Sequence, residues 1–481
     1  METLYWHDFE TFGLSPACDR PSQFAGLRTD LDLNPIGEPL MIYCQPAPDL
    51  LPSAQAVQVT GITPQLAASE GLAEPAFIAA IERELALPGT CGVGYNSLRF
   101  DDEVTRYTLY RNFYDPYARE WQHGNSRWDL LEVARFAWAL RPDGIVWPQR
   151  DNGLPSLKLE QLTAANGLAH EAAHDALSDV TATIALAKLI KQAQPKLFDY
   201  AWQHRSKHRA GEFVDLRRRQ PFVHVSGRLP AEHGYTALMM PLAAHPSNKN
   251  AVICVDLSRA IEPLLELSAE QLRERLYTRS EQLPDGVERL GLKQIQLNKC
   301  PMVATAKLLD EPLAARHSID LDRCMNNYQR LQQVDLSAKL GAVFGRDFTP
   351  RADADQQLYD GFASSADKAL FAAVRGADAQ QLGDGSLQFE SARYRQLLFN
   401  YRARYYPESL SEAERGQWQQ EAAARLSDPA LGYRTLEQAY AELGALDVRD
   451  PRSAELAAQL SQWYQHVAQS LGLAAPDWPA K

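Results

Sequence analysis

The sequence predicts an α/β domain followed by a small β domain and a helical C-terminal region. Three observations carry this. Residues 1 to about 192 alternate short apolar strands with amphipathic helices, the pattern of a sheet covered by helices. Beyond residue 204 short alternating strands take over. From Ala366 onward the pattern is helical. A chain of 481 residues should hold about three domains, divided here as 1–195, 196–347 and 348–481.

Within the first domain, Leu4–His7 is the opening strand, and Gln23–Thr29 and Leu40–Cys44 are strands that pair antiparallel with it. Val57–Thr60 leads into Gly61, Ile62, Thr63 and Pro64, where Thr63 caps a helix and Pro64 suits its first position. Glu74–Leu87 is an amphipathic helix, and Cys91–Tyr95 is a short buried strand. Asp102–Arg111, Asp129–Leu140, Leu157–Asn166 and Asp175–Gln192 are helices, with irregular chain over Pro142–Pro155. His204–Gln220 then carries six Lys and Arg side chains against Glu212 and Asp215. Strands follow at Phe222–Ser226, Thr236–Leu242, Ala251–Asp256 and Lys293–Leu297, interrupted by the helix Ala269–Tyr277 with a Ser268/Gln271 capping box. Phe348, Thr349 and Pro350 mark a boundary, and five helices are expected between Ala366 and Leu471.

Composition excludes several classes. With 45% hydrophobic and 23% charged residues the chain is globular, and no apolar run is long enough to span a membrane. The acidic pair at Asp8 and Glu10 leaves no room upstream for a signal peptide. Six scattered cysteines without a C-x-x-C pair read as reduced thiols of a cytoplasmic protein, expected to be a monomer. A net charge of -12 argues against indiscriminate polyanion binding but leaves room for a local basic groove.

Chemistry concentrates at three places. Asp8 and Glu10 sit two apart on a strand and therefore share a face. Two carboxylates held together repel unless a cation lies between them, and oxygen-only ligands favour Mg²⁺ or Mn²⁺. Asp101 falls where a loop meets a helix, with Asp102 competing for either the cap or the ligand role. Asp179 lies early in a long helix, and His174 lies just before its start, where the ring is free to turn toward the carboxylate.

Asp8-x-Glu10-Thr11, Asn96…Phe100-Asp101 and His174-x₄-Asp179 occur in the order of the three motifs of the DEDDh superfamily of 3′→5′ exonucleases. Arg99–Arg106, Tyr110–Tyr117, Asn125–Asp129, Asn298–Pro301 and Leu397–Arg404 extend the likeness, and the whole chain resembles bacterial exodeoxyribonuclease I. The resemblance implies a ribonuclease-H-like exonuclease domain with a mixed sheet, an SH3-like β domain and an all-helical C-terminal domain, together enclosing single-stranded DNA. It implies processive removal of 5′-mononucleotides from the 3′ end by two Mg²⁺ ions, with Mn²⁺ able to substitute, in DNA repair and recombination. Two-metal hydrolysis activates a water and stabilises the leaving oxygen. By resemblance Asp8 bridges the ions, Glu10 and Asp179 complete their shells, Asp101 holds one directly or through water, and His174 is the general base.

The same resemblance assigns substrate contacts to Glu10, Lys158, Arg106, Tyr117, Trp121, Arg135, Lys207, Asn250, Lys293 and Asn298. Lys158 stands where arginine is expected and lacks its bidentate fork. Aromatic rings interleaved with arginines suit sequence-independent strand binding, while Tyr110, Phe113 and Trp128 read as core. A partner is implied too, the acidic C-terminal tail of single-stranded-DNA-binding protein, at Arg141 and Tyr200. Thr305 and Asp310 replace an expected glutamine and arginine there, with Lys307 or Arg219 as substitutes. The competing readings are a DEDDh exoribonuclease, against which the two extra domains count, and a catalytically silent single-strand-binding scaffold. The exonuclease portion holds all five chemical residues, so a fragment ending near Pro195 could in principle cut and, if it folds, is expected to release the strand after few cuts.

Overall fold

Nine residues, Thr3–Thr11, form the central strand β1 of a mixed sheet. The computed structural model describes residues 2–170, 175–345 and 349–476. Its two compact units are not linear stretches. One combines Met1–Ser126, His170–Thr181 and Thr349–Lys481, and the other Arg127–Ala169 and Ala182–Phe348.

In the first unit β2 (Pro21–Thr29), β3 (Pro35–Tyr43) and β4 (Thr90–Gly94) give the order β3-β2-β1-β4. β2 pairs antiparallel with β1 and with β3, whereas β4 runs parallel to β1 from Thr3↔Thr90 to Trp6↔Val93. The helix Glu74–Leu85 buries Phe77, Ile78, Ile81 and Leu85, one face at helical spacing, and shares a core with Tyr5, Phe9 and Phe24. Thr63 caps the helix Pro64–Glu70 by accepting the Leu66 N–H, as expected. The residues before it form a further helix, Ala54–Thr60, capped by Ser53 and closed by Gly61 at φ 72°, a left-handed turn that glycine adopts without strain.

The C-terminal helices include Ser365–Gly376, Ala392–Tyr405, Glu412–Ser427, Leu436–Gly444 and Pro451–Ser470. They share cores with the N-terminal chain. Phe12, Leu51, Val57 and Ile62 pack with Leu443, Leu460 and Tyr464. Tyr110 and Phe113 pack with Phe371, Phe389 and Tyr401, which places both rings in the core as their sequence suggested. Buried ion pairs join the same segments: Arg20–Asp355 at 2.6 Å, Arg404–Asp49 and Arg404–Asp355 at 2.7 Å, and Arg425–Asp49 at 3.0 Å.

β5 (Ser126–Asp129) leads into the helix Leu130–Leu140. The second unit holds an antiparallel sheet of β6 (Phe222–Val225), β7 (Thr236–Ala244), β8 (Ala251–Asp256), β9 (Leu292–Gln296) and β10 (Met302–Thr305), in the order β10-β6-β7-β8-β9. The helix Ala269–Tyr277 carries both halves of its capping box. β10 and the helices Pro195–Gln203, Lys207–Phe213, Glu311–Arg316, Leu321–Gln332 and Ser337–Phe344 were not anticipated. The sequence signal there is weak: Leu321–Gln332 buries only Cys324, Asn327 and Leu331, a narrow stripe in a polar helix. The expected boundary at 347/348 lies outside the described residues. No described helix is long and apolar enough to cross a membrane.

Candidate active site

Parallel pairing of β1 with β4 ends at Trp6, so the last third of β1 runs beyond its neighbour with that edge open. Asp8 and Glu10 lie on this overhang, both half-buried, while His7 and Phe9 are buried between them and around them. Asp101 occupies the open edge: its Oδ1 accepts the Phe9 N–H at 2.9 Å. A side chain at the first turn of the helix Asp101–Arg111 thus takes the place of a missing ladder partner between the two strand acids.

The neighbouring acid is separated by its partner. Asp102 Oδ1 accepts from Arg119 Nη2 at 2.5 Å, with both side chains almost wholly buried. Asp101 therefore belongs with the strand acids, and Asp102 holds an arginine.

Asp179 arrives from the helix Ala176–Ala193. Gln23, opposite Glu10 in register on β2, anchors the start of that helix. Its amide accepts the Ala176 N–H at 3.2 Å and donates to Asp175 at 3.3 Å. Asp8, Glu10 and Asp179 consequently each offer a carboxylate oxygen, all within 4.8 Å of one another. Burial pushes Asp8 well above the usual carboxylate range, reinforced by Asp101, Glu10, Asp179 and Asp175. Burial, with Asp179, Asp101 and Asp175 beside it, pushes Glu10 up to about 8. Acids crowded this way are destabilised by their own charge, and a hard divalent cation at the convergence of their oxygens relieves it. The donor set therefore fits such an ion.

His170 Nε2 lies 2.5 Å from Asp179 Oδ1, a contact that orients the carboxylate. Sequence reasoning missed both His170 and Gln23. His174, the expected base, lies outside the described residues.

The expected strand contacts fall into groups. In the first unit Arg106 is 4% exposed. It is held by Glu120 at 2.6 and 2.9 Å, by Glu103 at 2.9 Å and by Tyr359 Oη at 3.0 Å. It lies over the Tyr117 ring at 5.4 Å, so it supports that ring and has no open face for phosphate. Trp121 is 65% exposed, and Phe362, 84% exposed, meets Tyr117 edge-on at 6.0 Å. Tyr359 and Phe362 were not singled out from the sequence, being some 240 residues away from Tyr117.

In the second unit Lys207 is exposed and donates to Asn250 Oδ1. The Leu297 N–H donates to the Asn250 carbonyl at 2.8 Å, which brings Asn298 within one residue of this pair. Lys293 is half-buried on β9 and pairs with Cys254 on β8. Arg135 is buried, joined to Glu132 at 2.6 Å and set over Tyr235 at 5.4 Å. Lys158 is exposed and 3.7 Å from Glu160.

For the expected tail pocket, Tyr200 donates to the Val303 carbonyl at 3.0 Å and stacks on Phe136. Arg141, Thr305 and Lys307 are exposed. Asp310 caps the helix Glu311–Arg316. Arg219 donates to the carbonyls of Leu331 and Val334 at the end of another helix, so of the two substitutes only Lys307 is available.

Comparison with known proteins agrees along the whole chain. Residues 5–187 match the family model "Exonuclease", 205–346 "Exonuclease I SH3-like domain" and 352–470 "Exonuclease I C-terminal domain". Exodeoxyribonuclease I of Escherichia coli is 50% identical over 421 residues, covering 87% of this chain and 88% of that one. The Haemophilus influenzae enzyme is 44% identical over 474 residues, 98% and 99% of the two chains. The crystal structure of E. coli exonuclease I with a dA16 oligonucleotide superposes with a TM-score of 0.92, at 46% identity, covering 97% of this chain and all of that one. A zinc-bound form of the E. coli exonuclease I–single-stranded DNA complex gives 0.92 at 46% identity, and a structure of SSB/exonuclease I in complex with an inhibitor gives 0.89 at 45%, with the same coverage.

Proposed function

Because the chain belongs to the exodeoxyribonuclease I family, it is a 3′→5′ exonuclease acting processively on single-stranded DNA, and we propose that Asp8, Glu10 and Asp179 hold its divalent metal as a pair of Mg²⁺ ions. The observation that carries this assignment is the convergence of those three carboxylates on oxygens within 4.8 Å. Bound there, the metal supplies an activated water and a stabilised leaving oxygen. Asp101, fixed on the Phe9 N–H between the two strand acids, would hold one ion directly or through water. His170 orients Asp179. His174 takes the proton from the attacking water, a role that suits a group titrating near neutrality. Glu10 and Lys158 contact the 3′-terminal nucleotide.

Tyr117, Trp121 and Phe362 give the first unit an aromatic surface for bases, with Arg106 behind it. Lys207, Asn250, Lys293, Asn298 and Arg135 serve the strand from the second unit. Arg141, Tyr200 and Lys307 receive the acidic tail of single-stranded-DNA-binding protein, a reading supported by the related complex. The three family models support the division into exonuclease, SH3-like and helical domains.

The test is product analysis with Mg²⁺ on end-labelled single-stranded DNA, duplex DNA and matched RNA. The expected result is 5′-mononucleotides released from the 3′ end of the single-stranded DNA. Asp8→Ala and Asp179→Ala should abolish that release in folded protein, and turnover in either variant would overturn the metal assignment.

A further inference from the structure

Arg119 lies on the short turn Ala118–Glu120, flanked by Tyr117 and Trp121, and is 3% exposed. Nη2 donates to Asp102 at 2.5 Å, while Nε and Nη1 are buried without a hydrogen-bond partner. A Cβ on Gly92 would stand 3.1 Å from Nη1 and 3.5 Å from His7 Nε2, so the guanidinium rests against β4 where that strand has no side chain. Besides Asp102, its charge acts on His7 of β1 and on Glu82 of the helix Glu74–Leu85. A buried ion pair with unmet donors contributes little net stability, and apolar side chains of similar volume in place of both Arg119 and Asp102 would hold the space as well. Stability does not account for an arginine here; what it joins does.

On one side is Asp102, the residue after Asp101. Both belong to the first turn of the same helix, and Asp101 grips β1 between Asp8 and Glu10. A shift of that turn moves Asp101 against the metal carboxylates. On the other side is a turn whose flanking rings are the aromatic surface described above, with Trp121 projecting from it. The Arg119–Asp102 pair, being dry and short, is a stiff link between the two.

We propose that Arg119 is a positioning residue that transmits the seating of a DNA strand on Tyr117 and Trp121 to the alignment of Asp101, so that cleavage is faster on strands long enough to reach that turn. This rests on the reading of Tyr117 and Trp121 as strand contacts.

The experiment uses the full-length protein with Mg²⁺ in excess over end-labelled substrate, so that binding is saturated. The first cleavage is timed on a trinucleotide and on a long oligothymidylate. In Arg119→Met the ratio of the long-strand rate to the short-strand rate should fall by about tenfold or more, the scale of a small misalignment. Arg119→Lys, which keeps a cation within reach of Asp102, should recover most of it. An unchanged ratio in Arg119→Met overturns the proposal, whether both rates fall together or neither does. If Arg119→Met does not fold, Asp102→Asn weakens the link from its other end and is expected to lower the same ratio. Trp121→Ala tests the underlying reading by itself. An unchanged KM for the long strand removes the contact and the proposal with it, whereas a raised KM with an unchanged Arg119→Met ratio removes the link alone.

Discussion

His170 and His174 are four residues apart, and the roles proposed for them make different predictions. His170 touches Asp179, so His170→Ala should raise the metal concentration needed for half-maximal rate by about 10–100-fold. His174→Ala should instead slow cleavage at saturating metal by about 10²–10⁴-fold. Single-turnover rates measured across a metal titration separate the two, and exchanged behaviour would exchange the roles. Glu10 makes a prediction of the opposite sign to an ordinary salt-bridged acid. Its folded pKa is raised from 4.5 to about 8, so the folded chain binds the proton more tightly than the unfolded one. That contribution to stability is complete below about pH 4.5 and lost as pH rises through about 8. Thermal unfolding in chelator should therefore show the metal-free protein weakening from pH 5 to 8, and Glu10→Gln should flatten the decline. Asp8 and Glu10 were legible because alternation on a strand is local. His170 and Gln23 were not, since Gln23 meets Asp175 across a separation of 152 residues that periodicity does not encode.

Helix starts do most of the positioning among the elements. The helix Ala176–Ala193 delivers Asp179 because Gln23 takes its first N–H. Gln23→Ala frees that end and should lower turnover about tenfold while the melting temperature changes little, the outcome expected when a ligand is misaligned and a core is not. Equal loss of stability and activity would make Gln23 structural only. The helix Asp101–Arg111 does the same for Asp101, and here the sequence placed the acid at the junction but left Asp102 as an equal candidate. Only the position of Arg119 separates them. The turn after Tyr117 is also readable as element-scale design: Phe362→Ala should weaken binding of single-stranded DNA by about 1–3 kcal/mol, the usual worth of one stacked base, measured by fluorescence anisotropy. An unchanged affinity would leave Phe362 outside the strand path.

At the scale of the molecule, the fragment's expected activity depends on its folding, and the shared cores predict that it does not fold. A piece ending near Pro195 keeps the chemical residues but leaves Phe12, Leu51, Val57 and Ile62 without the helices that cover them. It also strands Arg20 and Asp49 without Asp355, Arg404 and Arg425. Breaking a buried pair from one side alone costs about 3–5 kcal/mol, so the fragment should be unfolded by circular dichroism, and Asp355→Ala in the full chain should lower stability by a comparable amount. The order of domains was legible because composition changes along the chain. The sharing of one core by its two ends was not, because Phe12 or Tyr464 looks like any other buried ring in its own neighbourhood. That sharing also sets a schedule during synthesis. At about 5–20 residues per second the ribosome delivers the covering helices roughly 20–90 s after the strand that carries Asp8 and Glu10. Until then Phe12, Leu51, Val57 and Ile62 lack the helices that cover them, so a DNA-degrading enzyme should become competent only when translation is nearly finished, and a prematurely terminated product should be inert.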